Sequence, residues 1–421
     1  MTPLYTKRFT PWSTESIPSS SSSSTTTIAS RSSEYKLSKC PIGEGSYSVV
    51  YACKNKYNGH RYAAKKYNKG LTYGLESLLQ GEFEILSQVS MSHLHILSLF
   101  DYFETSHSFY FVTDLAEGGD LFNKIVYDSP SGKLDITISK EIVTQLVSAV
   151  SFLHSNSIIH RDIKPENILF PSKESNDILL GDFGLARVLK PQQRLHDVSG
   201  TLSYMAPEMF NREVGYSFPV DVWAIGVSLC FMLSGYLPFD CETDDETKDA
   251  IVNKKYLFVP QDYWIDIPES AKNFILSCFE TNPEQRPSSK ELGKHDFLYN
   301  DTARSIGGKD GTSSSTFAAQ KAEIHQIFQK VSKQDQTRKD ISNLNSPVIY
   351  HEMDDDVVAR GAFCLTPECV TELSTPITST CPSREQSWLQ LKKSKDNMSN
   401  NAEGGLRVAE CHNRSPAKFS I

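Results

Sequence analysis

Between residues 35 and 300 the apolar positions of this chain follow two different rhythms. Short β-branched and aromatic runs come first, Val49-Val50-Tyr51, Tyr62-Ala63-Ala64-Lys65 and Phe109-Tyr110-Phe111-Val112, with glycine or polar breaks between them. Such punctuation predicts a meander of strands. Between the second and third runs, Leu78, Leu79, Phe83, Leu86 and Val89 recur at three- and four-residue spacing, which predicts one helix packed on that sheet. After Gly118-Gly119 the rhythm becomes helical throughout. Residues Ile138 to Leu153 repeat apolar side chains on one face, and Val220 to Leu233 is apolar nearly all round, as in a helix surrounded by protein. The fold class this implies is α+β: a strand lobe carrying one helix, followed by a mainly helical lobe.

The flanks read differently. Residues 13 to 33 are dominated by Ser and Thr, a composition that cannot bury enough apolar surface to offset its ordering entropy, so residues 1–34 are expected to form a disordered tail. Beyond His295-Asp296-Phe297-Leu298 the pattern thins into Gly307-Gly308 and Asn- and Ser-rich stretches, which sets a domain of residues 35–299 and a second, mostly disordered tail over 300–421. Inside that tail Phe317, Ile324, Ile327, Phe328 and Val331 share one helical face, so a helix is expected within residues 316–333. There are no internal repeats.

Composition narrows the classes of function. The 421 residues are 39% hydrophobic and 22% charged, enough for a sizeable core, and the formal net charge of −8 offers no footprint for nucleic acid. Nine cysteines stand singly, without disulfide or zinc spacing, which fits a reducing compartment. No apolar core follows the N-terminal residues as a secretory signal requires, and the longest apolar stretch, Val222 to Leu233, is too short for a bilayer. A monomer in the cytoplasm, the nucleus or both is expected, with no membrane partner.

Chemistry enters at Gly43-Glu44-Gly45-Ser46-Tyr47-Ser48-Val49-Val50, where two strands should join. Glycines there let backbone amides approach phosphate oxygens without an intervening Cβ. Lys65, on the next strand, can reach phosphates beneath that loop, and a carboxylate from the predicted helix can hold it. Glu82 and Glu84 are the candidates; Glu82 is favoured because Leu86, four residues on, shares its inward face, whereas Gln88 follows Glu84. Then come His160-Arg161-Asp162-Ile163-Lys164-Pro165-Glu166-Asn167, Gly181-Asp182-Phe183-Gly184 and Ala206-Pro207-Glu208, an ordered set that chance does not produce.

Over Tyr35 to Leu298 the sequence resembles the eukaryotic protein kinases, which implies their bilobal fold and transfer of the γ-phosphoryl group of ATP, with Mg²⁺, to a protein hydroxyl. By that resemblance Asp162 orients the acceptor and takes its proton, Lys164 neutralises the transferring phosphoryl, and Asn167 and Asp182 hold the metal. The nucleotide site is assigned to Gly43, Gly45, Val50, Ala63, Lys65, Glu82, Thr113, Asp114, Ala116, Leu169 and Asp182, with Thr113 at the gatekeeper position. Asp221 and Trp223 look like the helix that braces the catalytic loop, and Arg286 like the partner of Glu208. The third loop glycine is replaced by Ser48, and Leu94-His95 stands where Pro-Asn is usual. Lys164 with Thr201 resembles serine/threonine rather than tyrosine kinases. The rival expectation is a non-catalytic kinase-fold scaffold, against which stand Lys65, Asp162 and Asp182.

Thr113 to Phe122 and Gly235-Tyr236-Leu237-Pro238-Phe239 look like the calmodulin-dependent group. In that group Asp120 and Glu166 occupy positions that pair with an arginine upstream of the acceptor, so Arg-x-x-Ser/Thr motifs are the expected substrates. Where relatives carry a phosphorylated threonine, three residues before Gly200-Thr201, this chain has Asp197; a permanent pair with Arg161 and a switch at Ser199 are both open readings. The helix expected within 316–333 lies where such kinases bind calmodulin, but Glu323 and Asp335 offset Lys321, Lys330 and Lys333, so calmodulin stands as an open partner.

Overall fold

The computed structural model describes residues 34–45, 47–254, 258 and 263–299. Ser46, both expected tails apart from Glu34, and the helix expected within 316–333 lie outside the described residues.

Five strands, β1 (Tyr35–Glu44), β2 (Ser48–Asn55), β3 (Arg61–Asn68), β4 (Leu99–Glu104) and β5 (Ser108–Thr113), form one antiparallel sheet in the order β1-β2-β3-β5-β4. β4 is absent from the sequence expectation. Asp101 interrupts its apolar run, and the ladder slips between Leu99 and Asp101; in the fold that aspartate is buried and accepts a hydrogen bond from Tyr35 Oη at 3.1 Å. Helix α1 (Glu76–Val89) packs its apolar face on this sheet, with the Phe83 ring 5.8 Å from Phe111 and 4.8 Å from Tyr102. The buried face is rotated slightly from the expected one: Ile85 is buried while Leu78 is only half-buried.

From β5 the chain passes to the helical lobe through Gly118-Gly119. A Cβ on Gly118 would lie 2.4 Å from the Ser172 carbonyl oxygen, and Gly119 has φ +79°, so both glycines are required where this connection runs against residues 170–172. Backbone bonds from Gly118 N–H to Phe170 O (2.9 Å) and from Phe170 N–H to Gly119 O (2.8 Å) fix that contact.

The helical lobe is built on α2 (Ile136–Ser155), α3 (Pro219–Ser234), α4 (Asp244–Val252) and α5 (Glu269–Cys278). Asp135 caps α2 by accepting from Thr137 N–H, Pro219 opens α3, and Gly235 closes it at φ +76°. Every residue of α3 after Pro219 is buried, as its all-round apolar composition demands. Among the described residues α2 is long and apolar enough to cross a bilayer by length and composition, although polar residues interrupt its apolar run throughout. Its inner face, Ile142, Val143, Leu146, Val147, Val150 and Leu153, is buried in the lobe. Short strand pairs, β6 (Ile158–Ile159) with β9 (Arg187–Val188) and β7 (Ile168–Leu169) with β8 (Leu179–Leu180), frame the loops that bear the chemistry.

α3 packs against the end of α5 at Gly226, where an added Cβ would meet Cys278 Cβ at 2.5 Å and the Phe279 ring at 3.1 Å. Overpacking costs about 1–3 kcal/mol and outweighs the roughly 1 kcal/mol that alanine gains as a helix former. Gly226→Ala is expected to lower the thermal midpoint by several degrees, measured by calorimetry.

Candidate active site

Asp221, in the first turn of α3, is 1% exposed and faces the loop that follows β6. Its oxygens accept the main-chain N–H groups of His160 and Arg161, both at 2.9 Å, and the His154 ring at 2.9 Å. Burial alone would raise this carboxyl, but His154, His160 and the amide donors hold it below the usual carboxylate range. Arg161 is thereby kept at φ +71°, a left-handed conformation that a non-glycine residue adopts only when its surroundings impose it. The buried His160 ring contacts the Gly181 carbonyl at 3.1 Å and stacks edge-on against Phe183 at 5.0 Å, joining this loop to residues 181–184.

The next residues converge on Asp162. Asn167 Nδ2 donates to Asp162 Oδ2 (2.9 Å) and to its carbonyl (2.7 Å), Lys164 Nζ lies 3.0 Å from Oδ2, and Thr201 Oγ1 donates to Oδ1 at 3.1 Å. Lys164 also donates to Thr201 Oγ1 at 2.8 Å, so Asp162, Lys164 and Thr201 form a closed polar ring with Asn167 bonded to it at Asp162. Burial works against the Lys164 charge, yet Asp162 raises its pKa above the ordinary lysine value.

Across the cleft, Lys65 Nζ lies 2.8 Å from Glu82 Oε1 and 3.1 Å from Asp182 Oδ1. Glu84 instead accepts from Gln80 on the outer face of α1. Burial opposes the Lys65 charge, but Glu82, Tyr67 and Asp182 carry its pKa well above the lysine norm. Lys65 in turn pulls Asp182 down to about 2 against the effect of burial. Asp182 sits at φ +57°, a second non-glycine residue held left-handed at the site.

The antiparallel register sets the strand residues that the family resemblance assigns to a nucleotide. Val50 stands opposite Lys65, which stands opposite Phe111, and Ala63 stands opposite Thr113. Paired residues share a sheet face, so Val50, Ala63, Lys65 and Thr113 all present to the same side. Gly43 pairs with Val50 at the root of the β1–β2 hairpin, and Gly45 N–H closes its turn on the Ser48 carbonyl at 2.7 Å. Asp114 uses its carboxylate to accept Ser98 N–H at 2.7 Å. Ala116 and Leu169 are half-buried on the connection and on β7.

The segment 197–208 lies on the same loop. Arg161, with its side chain 1% exposed, donates to Leu185 O (2.7 Å), Asp197 Oδ2 (2.7 Å) and Tyr216 Oη (2.9 Å), and Tyr216 donates to the Asp197 carbonyl at 2.8 Å. Ser199 Oγ donates to the same Asp197 oxygen at 3.1 Å. Burial raises the Asp197 carboxyl, but Arg161 and Ser199 bring it below its usual value. Gly200, at φ +118°, lets the chain pass where a Cβ would be 2.7 Å from Arg161 O. Glu208 receives Arg286 with both oxygens, at 2.7 and 3.0 Å, beneath the Trp223 ring.

Among the contacts that the sequence does not foretell are two at the centre of the site. Tyr67 donates to Glu82 Oε2 at 2.7 Å, and the Thr201 hydroxyl bonds directly to Asp162. The first has a sequence signal, since Tyr67 is two residues beyond Lys65 on one strand face; the second has none.

Residues 37–298 match the family described as protein kinase domain. The chain belongs to that family. Its kinase domain is 43% identical over 268 residues to the calcium/calmodulin-dependent protein kinase cmkB of Emericella nidulans, a match covering 63% of this chain and 65% of that protein. It is 41% identical over 260 residues to the calcium/calmodulin-dependent protein kinase type I of Schizosaccharomyces pombe, covering 61% and 76% of the two chains. Myosin light chain kinase A of Dictyostelium discoideum is 37% identical over 259 residues, 61% of this chain and 85% of its own. This is a serine/threonine kinase domain similar to those of calcium/calmodulin-dependent kinases.

The lowered pKa of Asp182 has a defined sign in stability. Its ionised form is favoured by the fold, so the contribution is complete above the ordinary value of 3.8 and is lost as pH falls through about 2. The side chain is 51% exposed, so screening keeps this contribution to about 1 kcal/mol or less. The difference in unfolding midpoint between the parent and Asp182→Asn is expected to stay constant from pH 7 to about 4 and to shrink below that.

Proposed function

We propose that this kinase transfers the γ-phosphoryl group of Mg-ATP to serine and threonine hydroxyls of proteins, as a signalling enzyme. The observation that carries the reading is the ring at Asp162: a threonine hydroxyl already donates to its carboxylate at 3.1 Å while accepting from Lys164 at 2.8 Å. That is the pairing an acceptor hydroxyl and its incoming phosphoryl need, a base beside a fixed cation.

In this reading Asp162 orients the acceptor oxygen and receives its proton as the bond to the γ-phosphorus forms and the bond from that phosphorus to the bridging oxygen breaks, releasing ADP. Lys164 neutralises charge on the moving group. Lys65, held by Glu82, positions the non-transferred phosphates. The donor set suits a hard cation: Asn167 spends its amide nitrogen on Asp162 and keeps its carbonyl oxygen, and Asp182 stays ionised with one oxygen on Lys65. Asn167 and Asp182 would hold magnesium, which supplies charge neutralisation on the phosphates when bound.

Substrate choice is assigned to Glu166 and Asp120, with a preference for arginine upstream of the acceptor. Asp120 caps the following helical turn, accepting Asn123 N–H and Nδ2 at 2.7 Å each, yet a carboxylate has lone pairs for a further donor. The pair Arg161–Asp197 supports activity without prior phosphorylation of the segment. The relatives from Emericella nidulans and Schizosaccharomyces pombe are calcium/calmodulin-dependent kinases; in this chain any such control is assigned to residues 316–333, outside the described residues. Cytoplasm and nucleus remain the proposed locations, and a monomer the proposed state.

With Mg-ATP and a basic peptide, Asp162→Asn is expected to lower kcat by about 10²–10⁴-fold. Equal phosphate incorporation by parent and variant would point to the scaffold reading. Asp197→Ala is expected to lower the activity of the unphosphorylated enzyme several-fold, up to about tenfold, because it leaves a buried guanidinium without its carboxylate. Unchanged activity would make that pair incidental and direct attention to Ser199.

A further inference from the structure

β3 presents Lys65 and Tyr67 on one face, and both point at the same carboxylate. Glu82 is 4% exposed and uses one oxygen for each: Oε1 takes Lys65 Nζ at 2.8 Å and Oε2 takes Tyr67 Oη at 2.7 Å. Lys65 alone does not determine where Glu82 sits, because the ammonium has a competing anion in Asp182 at 3.1 Å. Tyr67 supplies the second point that fixes the carboxylate's orientation. Its own freedom is small. The ring is 4% exposed, lies 5.2 Å from Phe111, and carries the Lys65 ammonium 5.4 Å from its centroid. Phe111 in turn touches Phe83 of α1 at 5.8 Å, so the tyrosine is braced by the residues that seat the helix bearing Glu82.

We propose that Tyr67 is a positioning residue for phosphoryl transfer, acting through Glu82 to hold Lys65 in place for the nucleotide. Its hydroxyl is a permanent donor, since burial and the neighbouring Glu82 carboxylate push its ionisation well above the tyrosine norm. A hydrogen bond to a carboxylate is stronger than one between neutral groups, and its loss here leaves a buried anionic oxygen unsatisfied. The inference rests on the phosphoryl-transfer reading of the site and adds to it a residue that tunes how firmly the lysine is held.

The test is a double-mutant cycle on the full chain, with Mg-ATP varied at saturating basic peptide, comparing the parent, Tyr67→Phe, Glu82→Gln and the double variant. Tyr67→Phe is expected to lower kcat/KM for ATP about tenfold in the parent background and to change it less than twofold when Glu82 is already Gln. A packing role alone would give the same loss in both backgrounds, and that result, or no loss in the parent background, overturns the proposal. If the parent transfers no phosphate, the kinase reading fails by itself, and the same cycle read as ATP affinity by calorimetry decides the role of Tyr67 by the same criterion. If Tyr67→Phe melts below the assay temperature, Tyr67→Met takes its place in the cycle.

Discussion

Asp221 is the point from which the site hangs. A carboxylate taken almost wholly out of water must be repaid with donors, and the donors in reach are the main-chain N–H groups of His160 and Arg161. Because the helix beneath it is buried on every side, neither partner can drift, and the loop accepts a left-handed residue at Arg161 as the cost of that placement. The direction in which Asp162, Lys164 and Asn167 leave this anchor follows from it.

Two cations, Lys65 and Arg161, then join separate segments of the fold through carboxylates. Lys65 ties the sheet to α1 through Glu82 and to the lower loop through Asp182, while Arg161 ties the catalytic loop to the segment around Asp197. The Arg161 guanidinium is buried and its acid is half in water, so the value of the pair lies more in satisfying the arginine than in net attraction. Arg286 with Glu208 is the converse, with both partners buried and bidentate, a geometry suited to holding a fixed position. The charges at the candidate site are thus also ones that hold the fold together.

Much of the fold was legible because periodicity reports burial. β2, β3 and β5 showed as apolar runs, and α1, α2 and α3 as repeats near 3.6 residues, since one side of each faces protein. β4 was not legible: Asp101 looks like a break in the sequence and becomes a buried acceptor only once Tyr35 of β1 is beside it.

The residue types of the candidate site were readable in the sequence, because Lys65, Asp162, Asn167 and Asp182 stand in the motif order that protein kinases share. Helical facing also distinguishes Glu82 from Glu84, as local geometry is the same in any helix. Tertiary structure alone decided what those groups touch. That Tyr67 shares Glu82 with Lys65, that Thr201 closes the ring on Asp162, and that Asp197 reaches Arg161 all depend on segments far apart in the chain being brought within hydrogen-bond distance. Spacing along a sequence carries no record of that distance.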